Sequence, residues 1–196
     1  MATRAGMTAR YTNVAIALHW TIAALIIFNL VTGLFHSSFP RGTMAIHISS
    51  GITVLALTVL RVLWRLTHRP PPLPAGMPAR ERRAAAAAHH LLYLLLVGLP
   101  LTGWAVVSLS PFNIPTVLYG LVPWLHLPLA GFVPDPAAAG GILKRIHALG
   151  AWSLAALLAV HVAAALRHHL RLRDDVLRRM LPGRPLSPTP TVEPTR

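Results

Sequence analysis

Four long apolar runs constrain the fold of this chain more than any other feature. They share a length close to the 20 or so residues that a helix needs to cross a bilayer, and they lie at residues 14–35, 44–66, 84–107 and 146–169. Charged residues make up only 12% of the chain, against about a quarter in a soluble domain. We therefore expect an all-α integral membrane protein in which a four-helix transmembrane bundle occupies residues 1–180.

The charge distribution predicts the orientation of the bundle. Basic residues number 18 and acidic residues 5, but they lie between apolar runs rather than over a soluble surface, so we expect no nucleic-acid partner. Loops rich in Lys and Arg stay in the cytoplasm. All basic residues except Arg41, Lys144 and Arg145 lie in the N-terminus, the second connection or the tail. Both termini are therefore expected to be cytoplasmic, and the lipid bilayer is the main partner.

The connections and the tail differ in composition. The basic residues assigned to the connection after the second span are Arg61, Arg65, Arg69, Arg80, Arg82 and Arg83. Its segment 67–83 is rich in proline, which cannot continue a helix. In the external connection at 108–145, the stretch 115–127 is expected to form a short interfacial helix with its aromatic residues in the headgroup layer. The Pro/Ser/Thr-rich tail at 181–196 is predicted to be disordered and cytoplasmic.

Cysteine is absent from the chain. Disulfides, cysteine-ligated iron–sulfur clusters and covalent haem attachment are therefore excluded. No acidic residue falls within an apolar run, which disfavours metal transport. A redox cofactor in this chain would depend on histidine, methionine or noncovalent contacts.

Histidines within the spans are the candidate ligands, because ionisable side chains in a membrane are costly and usually functional. His147 and His161 are 14 residues apart in the fourth span, which is about 21 Å along one face of a helix. This spacing predicts two stacked haem b groups, since neutral imidazole is a common axial ligand. By depth, His47 pairs with His147 on the outer side and His19 pairs with His161 on the inner side.

The remaining histidines receive weaker assignments. His168 lies two turns after His161 at the cytoplasmic interface, where it could bind a quinone carbonyl or a haem propionate, or be an ordinary interfacial residue. His89 and His90 lie at the start of the third span, and each could be an iron ligand or an interfacial residue. Three further histidines, His36, His68 and His126, are expected not to bind iron. The hydroxyls of Ser49, Ser50 and Thr53 are expected to orient the His47 ring.

Several motifs, together with their order along the chain, resemble those of the bacterial cytochrome b561 family. They are LHW around His19, IHISSG around His47, HHLLYLLLVGLPLTGW in the third span, and two histidines 14 residues apart followed by AAALRHH in the fourth. The resemblance extends from Tyr11 to about Met180. It implies a multi-pass cytochrome of the bacterial inner membrane, with two haem b groups on the same four histidines and electron exchange with the quinone pool.

The resemblance is greatest to family members that oxidise superoxide, and implies electron transfer from periplasmic superoxide to ubiquinone. It implies a quinone site near His168 and the segment Tyr11, Thr12, Asn13, where the family often has Tyr-Ser-Arg; Arg10 could replace the missing arginine. The external cations Arg41, Lys144 and Arg145 could attract superoxide, or contact lipid headgroups or haem propionates.

Two other functions are left open by the sequence. One is a non-enzymatic cytochrome b subunit that carries electrons for a partner dehydrogenase or hydrogenase, although no docking segment for a protein partner is evident. The other is a transporter or sensor without haem.

Overall fold

Four long helices make up most of the fold. A computed structural model describes residues 10–74, 76–112 and 115–183. The helices are α1 (Asn13–Leu34), α2 (Thr43–Thr67), α3 (Ala79–Ser108) and α4 (Pro136–Arg167). All four are long and apolar enough to cross a membrane. The chain is a multi-pass helical membrane protein, and the expected fold class is confirmed.

The helices form an up-and-down bundle. α1 packs against α2, α2 against α3, and α3 against α4, with a lighter contact between α4 and α1. The amide of Tyr11 donates to the carbonyl of Arg179 at 3.4 Å, so the chain enters α1 and leaves α4 at the same end. We call this the terminal end of the bundle. The opposite end, where α1 ends and α2 begins, is the hairpin end.

Local capping signals explain where α1 and α4 begin. The hydroxyl of Thr12 accepts from the amide of Ala15 at 3.2 Å, and the carboxylate of Asp135 accepts from the amide of Ala138 at 2.9 Å. Each satisfies one of the free amides of a helical first turn. Pro136 takes the first position of α4, where its missing N–H costs nothing. The Asp-Pro pair starts α4 well before the apolar run at 146.

The basic residues near the second connection lie mostly in helices, which corrects the sequence assignment. Arg61 and Arg65 belong to α2. The helix α3 begins at Ala79, directly after Pro78, so residues 80–83 are helical and not part of a loop. The prolines interrupt the chain only as far as Pro78, and the arginines that follow are good helix formers.

A β-hairpin replaces the expected interfacial helix at 115–127, and that prediction was wrong. Strand β1 (Thr116–Leu118) pairs antiparallel with β2 (Val122–Trp124). The turn places Tyr119 at φ 53° and Gly120 at φ 72°, the left-handed backbone that tight hairpins require. A turn residue of this kind and a proline inside β2 both oppose a helix.

The hairpin docks on α2 through polar contacts. The amide of Tyr119 donates to the hydroxyl of Ser49 at 2.9 Å, and the Tyr119 hydroxyl lies 2.8 Å from that of Thr53. These bonds fix the hairpin against the polar stripe of α2.

The apolar core lies at mid-depth. Ile22 and Ile26 of α1, Val54 of α2 and Leu154 of α4 are buried together, with leucines of α3 packed around them. The outward faces are also apolar, and many large aliphatic side chains there are exposed. Such a surface is suited to lipid rather than water.

The segment after α4 returns to α1. It begins with a π-helical turn, His168–Leu172, and reverses at Arg173, whose φ is 52°. The indole of Trp20 donates to the Met180 carbonyl at 2.7 Å, and the guanidinium of Arg10 donates to the carbonyls of Leu181 and Gly183. The rest of the tail predicted to be disordered, 184–196, lies outside the described residues.

Candidate functional site

Two pairs of histidine rings lie between the helices, one toward each end of the bundle. His47 of α2 and His147 of α4 have ring centroids 6.3 Å apart, and we call them the hairpin-end pair. His19 of α1 and His161 of α4 have centroids 6.4 Å apart, and they form the terminal-end pair. These are the partners that depth along the spans predicts.

The separations fit an iron bound between the rings. A metal–imidazole bond is about 2 Å long, and the ring centroid lies roughly 1.1 Å behind the ligating nitrogen, so two rings on opposite sides of one metal have centroids about 6 Å apart. Either pair could therefore supply the two axial ligands of a haem.

Glycines make room for the hairpin-end pair. A Cβ at Gly33 of α1 would lie 2.8 Å from Cε1 of His47, and a Cβ at Gly103 of α3 would lie 3.1 Å from Cε1 of His147. At 2.8 Å a methyl group on Gly33 would overlap the His47 ring, and at 3.1 Å one on Gly103 would crowd the His147 ring, so the lack of a side chain at both positions leaves room for the rings.

Each ring of the hairpin-end pair is oriented through its Nδ1 atom. The Thr32 hydroxyl donates to the carbonyl of Phe28 at 2.8 Å and lies 3.1 Å from Nδ1 of His47, from which it can accept. Nδ1 of His147 lies 3.0 Å from the Thr102 hydroxyl and 3.1 Å from the Leu99 carbonyl. With Nδ1 engaged, Nε2 is left to bind a metal.

The orienting hydroxyls are not those that the sequence suggested. Ser49 and Ser50 donate to carbonyls of their own helix, and Thr53 donates to the Ser49 carbonyl. Ser49 and Thr53 also contact the hairpin, and Ser50 accepts from Asn29 of α1, whereas the His47 ring lies against Thr32 and Gly33. A repeated Thr-Gly pair, Thr32-Gly33 and Thr102-Gly103, is the sequence signal that was missed.

A basic and aromatic cluster surrounds the terminal-end pair. The ring of His89, on α3, has its centroid 5.5 Å from that of His161, which is shorter than the separation in the terminal-end pair or the hairpin-end pair. Arg61 of α2 donates to the hydroxyl of Tyr93 and to the carbonyl of Ala15, both at 3.2 Å. Arg61 was not identified from the sequence because it was assigned to a loop, although a cation within a span usually indicates a functional site.

His168 lies at the terminal end and pairs with an acidic residue. Its Nδ1 is 2.5 Å from a carboxylate oxygen of Asp174, and both side chains are largely buried. The π-helical turn that carries His168 is a distortion often found at functional sites. The sequence did not reveal the partner, because Asp174 reaches His168 only after the chain reverses at Arg173.

The other residues predicted for a quinone site have structural contacts of their own. Tyr11 bonds to Arg179 through its backbone, Thr12 caps α1 and accepts from the Trp64 indole at 2.9 Å, and Asn13 is the first residue of α1. Arg10, the suggested replacement for a missing arginine, is bound to carbonyls of the segment after α4.

A cavity of about 440 Å³ lies beside the hairpin-end pair. Its lining includes Thr32, which contacts His47, together with His36 and Arg41. Of the three cations that the sequence predicts to be external, Arg41 is the one that lines this cavity. Lys144 and Arg145 are exposed near the start of α4.

Four of the remaining histidines contact groups near them in the chain. His36 and His90 lie within hydrogen-bonding distance of backbone carbonyls, His126 of the Thr116 hydroxyl, and His68 stacks on Trp64 with ring centroids 3.8 Å apart. None of these four is paired with a second histidine ring among the described residues.

A multi-pass helical bundle with histidine rings paired between its helices has the architecture of a membrane cytochrome b. The chain belongs to the prokaryotic cytochrome b561 family, whose model matches residues 10–183. It is accordingly a membrane oxidoreductase that binds b-type haem.

Curated relatives cover nearly the whole chain. Cytochrome b561 homolog 2 of Escherichia coli is 32% identical over 180 residues, which are 88% of this chain and 91% of the relative. The probable superoxide oxidase CybB of Yersinia pestis is 30% identical over 181 residues, 90% of this chain and 98% of the relative. Cytochrome b561 homolog 1 of Escherichia coli is 27% identical over 181 residues, 89% of this chain and 98% of the relative.

The contact between Gly33 and His47 generates a first prediction. Gly33→Ala should displace the His47 ring and lower the haem content of the purified protein, measured as a pyridine haemochrome, and Gly103→Ala should have a smaller effect in the same direction. Gly42→Ala is the matched control, because nothing lies within 4 Å of its added Cβ. Equal haem content in all three variants would contradict the packing argument.

A second prediction concerns the Thr32 hydroxyl. Thr32→Val keeps the shape of the side chain but removes the acceptor at Nδ1 of His47, and should weaken haem binding on the order of 10-fold. Thr102→Val should cost less, since His147 retains the Leu99 carbonyl. Haem loss from detergent-solubilised protein to excess apomyoglobin measures both, and the argument fails if Thr102→Val loses haem faster.

Proposed function

We propose that the protein holds two haem b groups and passes electrons from periplasmic superoxide to membrane ubiquinone. The observation that carries the proposal is the matched separation of the two histidine pairs, 6.3 Å and 6.4 Å between ring centroids. The two pairs share α4, where their ligands are about 21 Å apart along the helix. Two one-electron sites at different depths provide a path across the bilayer.

In this proposal the chain binds and orients while haem iron supplies the one-electron chemistry. His47 and His147 are the ligands of the outer haem, and His19 and His161 are those of the inner haem. The hydroxyls of Thr32 and Thr102 hold the outer rings in the tautomer that leaves Nε2 unprotonated. The core around Ile22, Val54 and Leu154 keeps water out of the space between the two sites.

Superoxide would approach from the hairpin end. It is a small anion, and positive charge near its target raises the encounter rate. Arg41 lines the cavity beside the Thr32–His47 contact, while Lys144 and Arg145 add exposed positive charge nearby on α4. Each superoxide releases one electron and becomes O₂. The similarity to a probable superoxide oxidase supports this choice of donor.

Ubiquinone would accept electrons at the terminal end. Two electrons from two superoxide ions and two protons from the cytoplasm convert one quinone into quinol. In its imidazolium form, His168 would donate one N–H from Nδ1 to Asp174 and the other from Nε2 to a quinone carbonyl. Tyr11, Thr12 and Asn13 border the same end. This orientation has both termini in the cytoplasm of a bacterial inner membrane, in keeping with the excess of Arg there.

A second candidate is a cytochrome b subunit that carries electrons for a partner enzyme. It is favoured by the likeness to relatives named only as cytochrome b561 homologs. Such a subunit would use the same haems but would copurify with a soluble partner, and its haems would not be reduced rapidly by superoxide.

Rapid mixing with superoxide tests the proposed reaction. The purified protein in vesicles containing ubiquinone should show haem reduction followed by quinol formation, with two superoxide ions consumed per quinol. Arg41→Gln should slow the bimolecular step several-fold at low salt and less at high salt, because screening removes the same attraction. If dithionite reduces the haem but superoxide does not, superoxide is excluded as the donor.

Single histidine variants test the ligand assignment. His147→Ala should empty the outer site alone, and His161→Ala the inner site alone, each leaving one haem per chain by pyridine haemochrome. His89→Ala should keep both haems, since the His89–His161 separation does not match that of the ligand pairs. Loss of the inner haem in His89→Ala, with retention in His19→Ala, would make His89 the ligand.

A further inference from the structure

Arg61 is an arginine inside a membrane span. It lies within α2, half-buried and facing the bundle. Charged side chains in a bilayer are costly and need an anionic or strongly polar partner. Arg61 follows His47 by 14 residues, the same spacing that separates the two histidines of α4, and therefore lies at the depth of the terminal-end pair.

Its partners on the protein do not neutralise it. The guanidinium donates from Nε to the Tyr93 hydroxyl and from Nη1 to the Ala15 carbonyl. Among the described residues, the ion pairs involve other cations, and none brings a carboxylate within 4.0 Å of Arg61. A guanidinium has five N–H groups, so donors remain for an anion.

Two hydroxyls near Arg61 have hydrogen-bonding groups that the described part of the protein does not use. The Tyr93 oxygen accepts from Arg61, which leaves its own O–H free to donate elsewhere. Thr58 is 0% exposed, and its hydroxyl has no partner among the described residues. It precedes Arg61 by three residues, and residues three apart share a helix face. Thr58 has no exposed surface and is covered by protein atoms, so the Tyr93 hydroxyl is the one that remains able to donate to an anion beside Arg61.

The anion must also lie close to the terminal-end pair. Arg61 contacts Ala15, one helical turn before His19, and Tyr93, one helical turn after His89, which places the guanidinium next to the terminal-end pair. Haem b carries two propionate carboxylates, and a planar guanidinium matches a carboxylate well. We propose that Arg61 and Tyr93 bind a propionate of the haem held by His19 and His161. This inference rests on the proposed inner haem.

Other anions fit these contacts less well. A lipid phosphate would be met by the exposed Arg65, one turn closer to the end of α2. A quinone oxygen is neutral in the oxidised state and would leave the arginine charge without compensation. A propionate supplies a full negative charge and two acceptor oxygens within the bundle.

Infrared spectroscopy on the holoprotein tests the contact. Haem with ¹³C in its propionate carboxyls can be made in the expression host from labelled precursor, and redox difference spectra then identify the propionate bands as those that shift with the label. Arg61→Gln and Tyr93→Phe should move these bands. Arg65→Gln, which removes a charge from the same helix, is the matched control and should leave them unchanged.

A redox titration provides the second measurement. Arg61→Gln should lower the midpoint potential of the inner haem and leave that of the outer haem unchanged, because a nearby cation favours the reduced state. If Arg61→Gln loses haem, Arg61→Lys takes its place in the test. The lysine retains the charge, so this variant should keep the haem while its propionate bands shift.

Several results would overturn the inference. Unchanged labelled bands in Arg61→Gln and Tyr93→Phe with both haems bound would do so, as would changes confined to quinone bands. Failure of superoxide to reduce a protein with two haems would refute the proposed donor but leave this contact intact. A protein with only one haem, bound by His47 and His147, would refute the proposed inner haem itself.

Discussion

The exclusion of polar groups from lipid is the constraint on which the rest of this structure depends. The outward faces of the helices are apolar at mid-depth, so a histidine or arginine that lies deep within a span must find its partners inside the bundle. The chain meets this requirement with short-range bonds from other helices: Thr32 and Thr102 for the hairpin-end pair, and Tyr93 and Ala15 for Arg61. The contacts that build the candidate site are therefore also contacts that join the helices inside the bundle.

The helix α4 connects the two ends of the bundle. It contributes one histidine to each pair, and between them it contributes Leu154 to the buried core. Small residues matter most where rings cross to a neighbouring helix, since Gly33 and Gly103 lie directly beneath His47 and His147. The resulting arrangement is polar at two depths and apolar between them. Such an arrangement suits electron transfer and opposes leakage of protons or ions.

Sequence reasoning succeeded where one physical property dominates and failed where contacts compete. Hydropathy alone predicts four membrane helices, because burial of about 20 apolar residues outweighs local preference. Helical periodicity predicts which histidines share a face, and depth predicts which histidine rings meet. The hairpin at Thr116–Trp124 was missed, since its aromatic residues suit either an interfacial helix or a strand, and the left-handed backbone at Tyr119 appears only in the fold.

The sequence by itself determined that this is a membrane bundle, at what depths its histidines lie, and that any haem is bound noncovalently. These properties follow from composition and helical repeat, which are local. Tertiary structure alone decided which hydroxyls orient the rings, that Arg61 faces the bundle, and that Asp174 meets His168. Each of these depends on the rotation of one helix against another or on a reversal of the chain, and such side-chain directions are set by packing between segments distant in sequence.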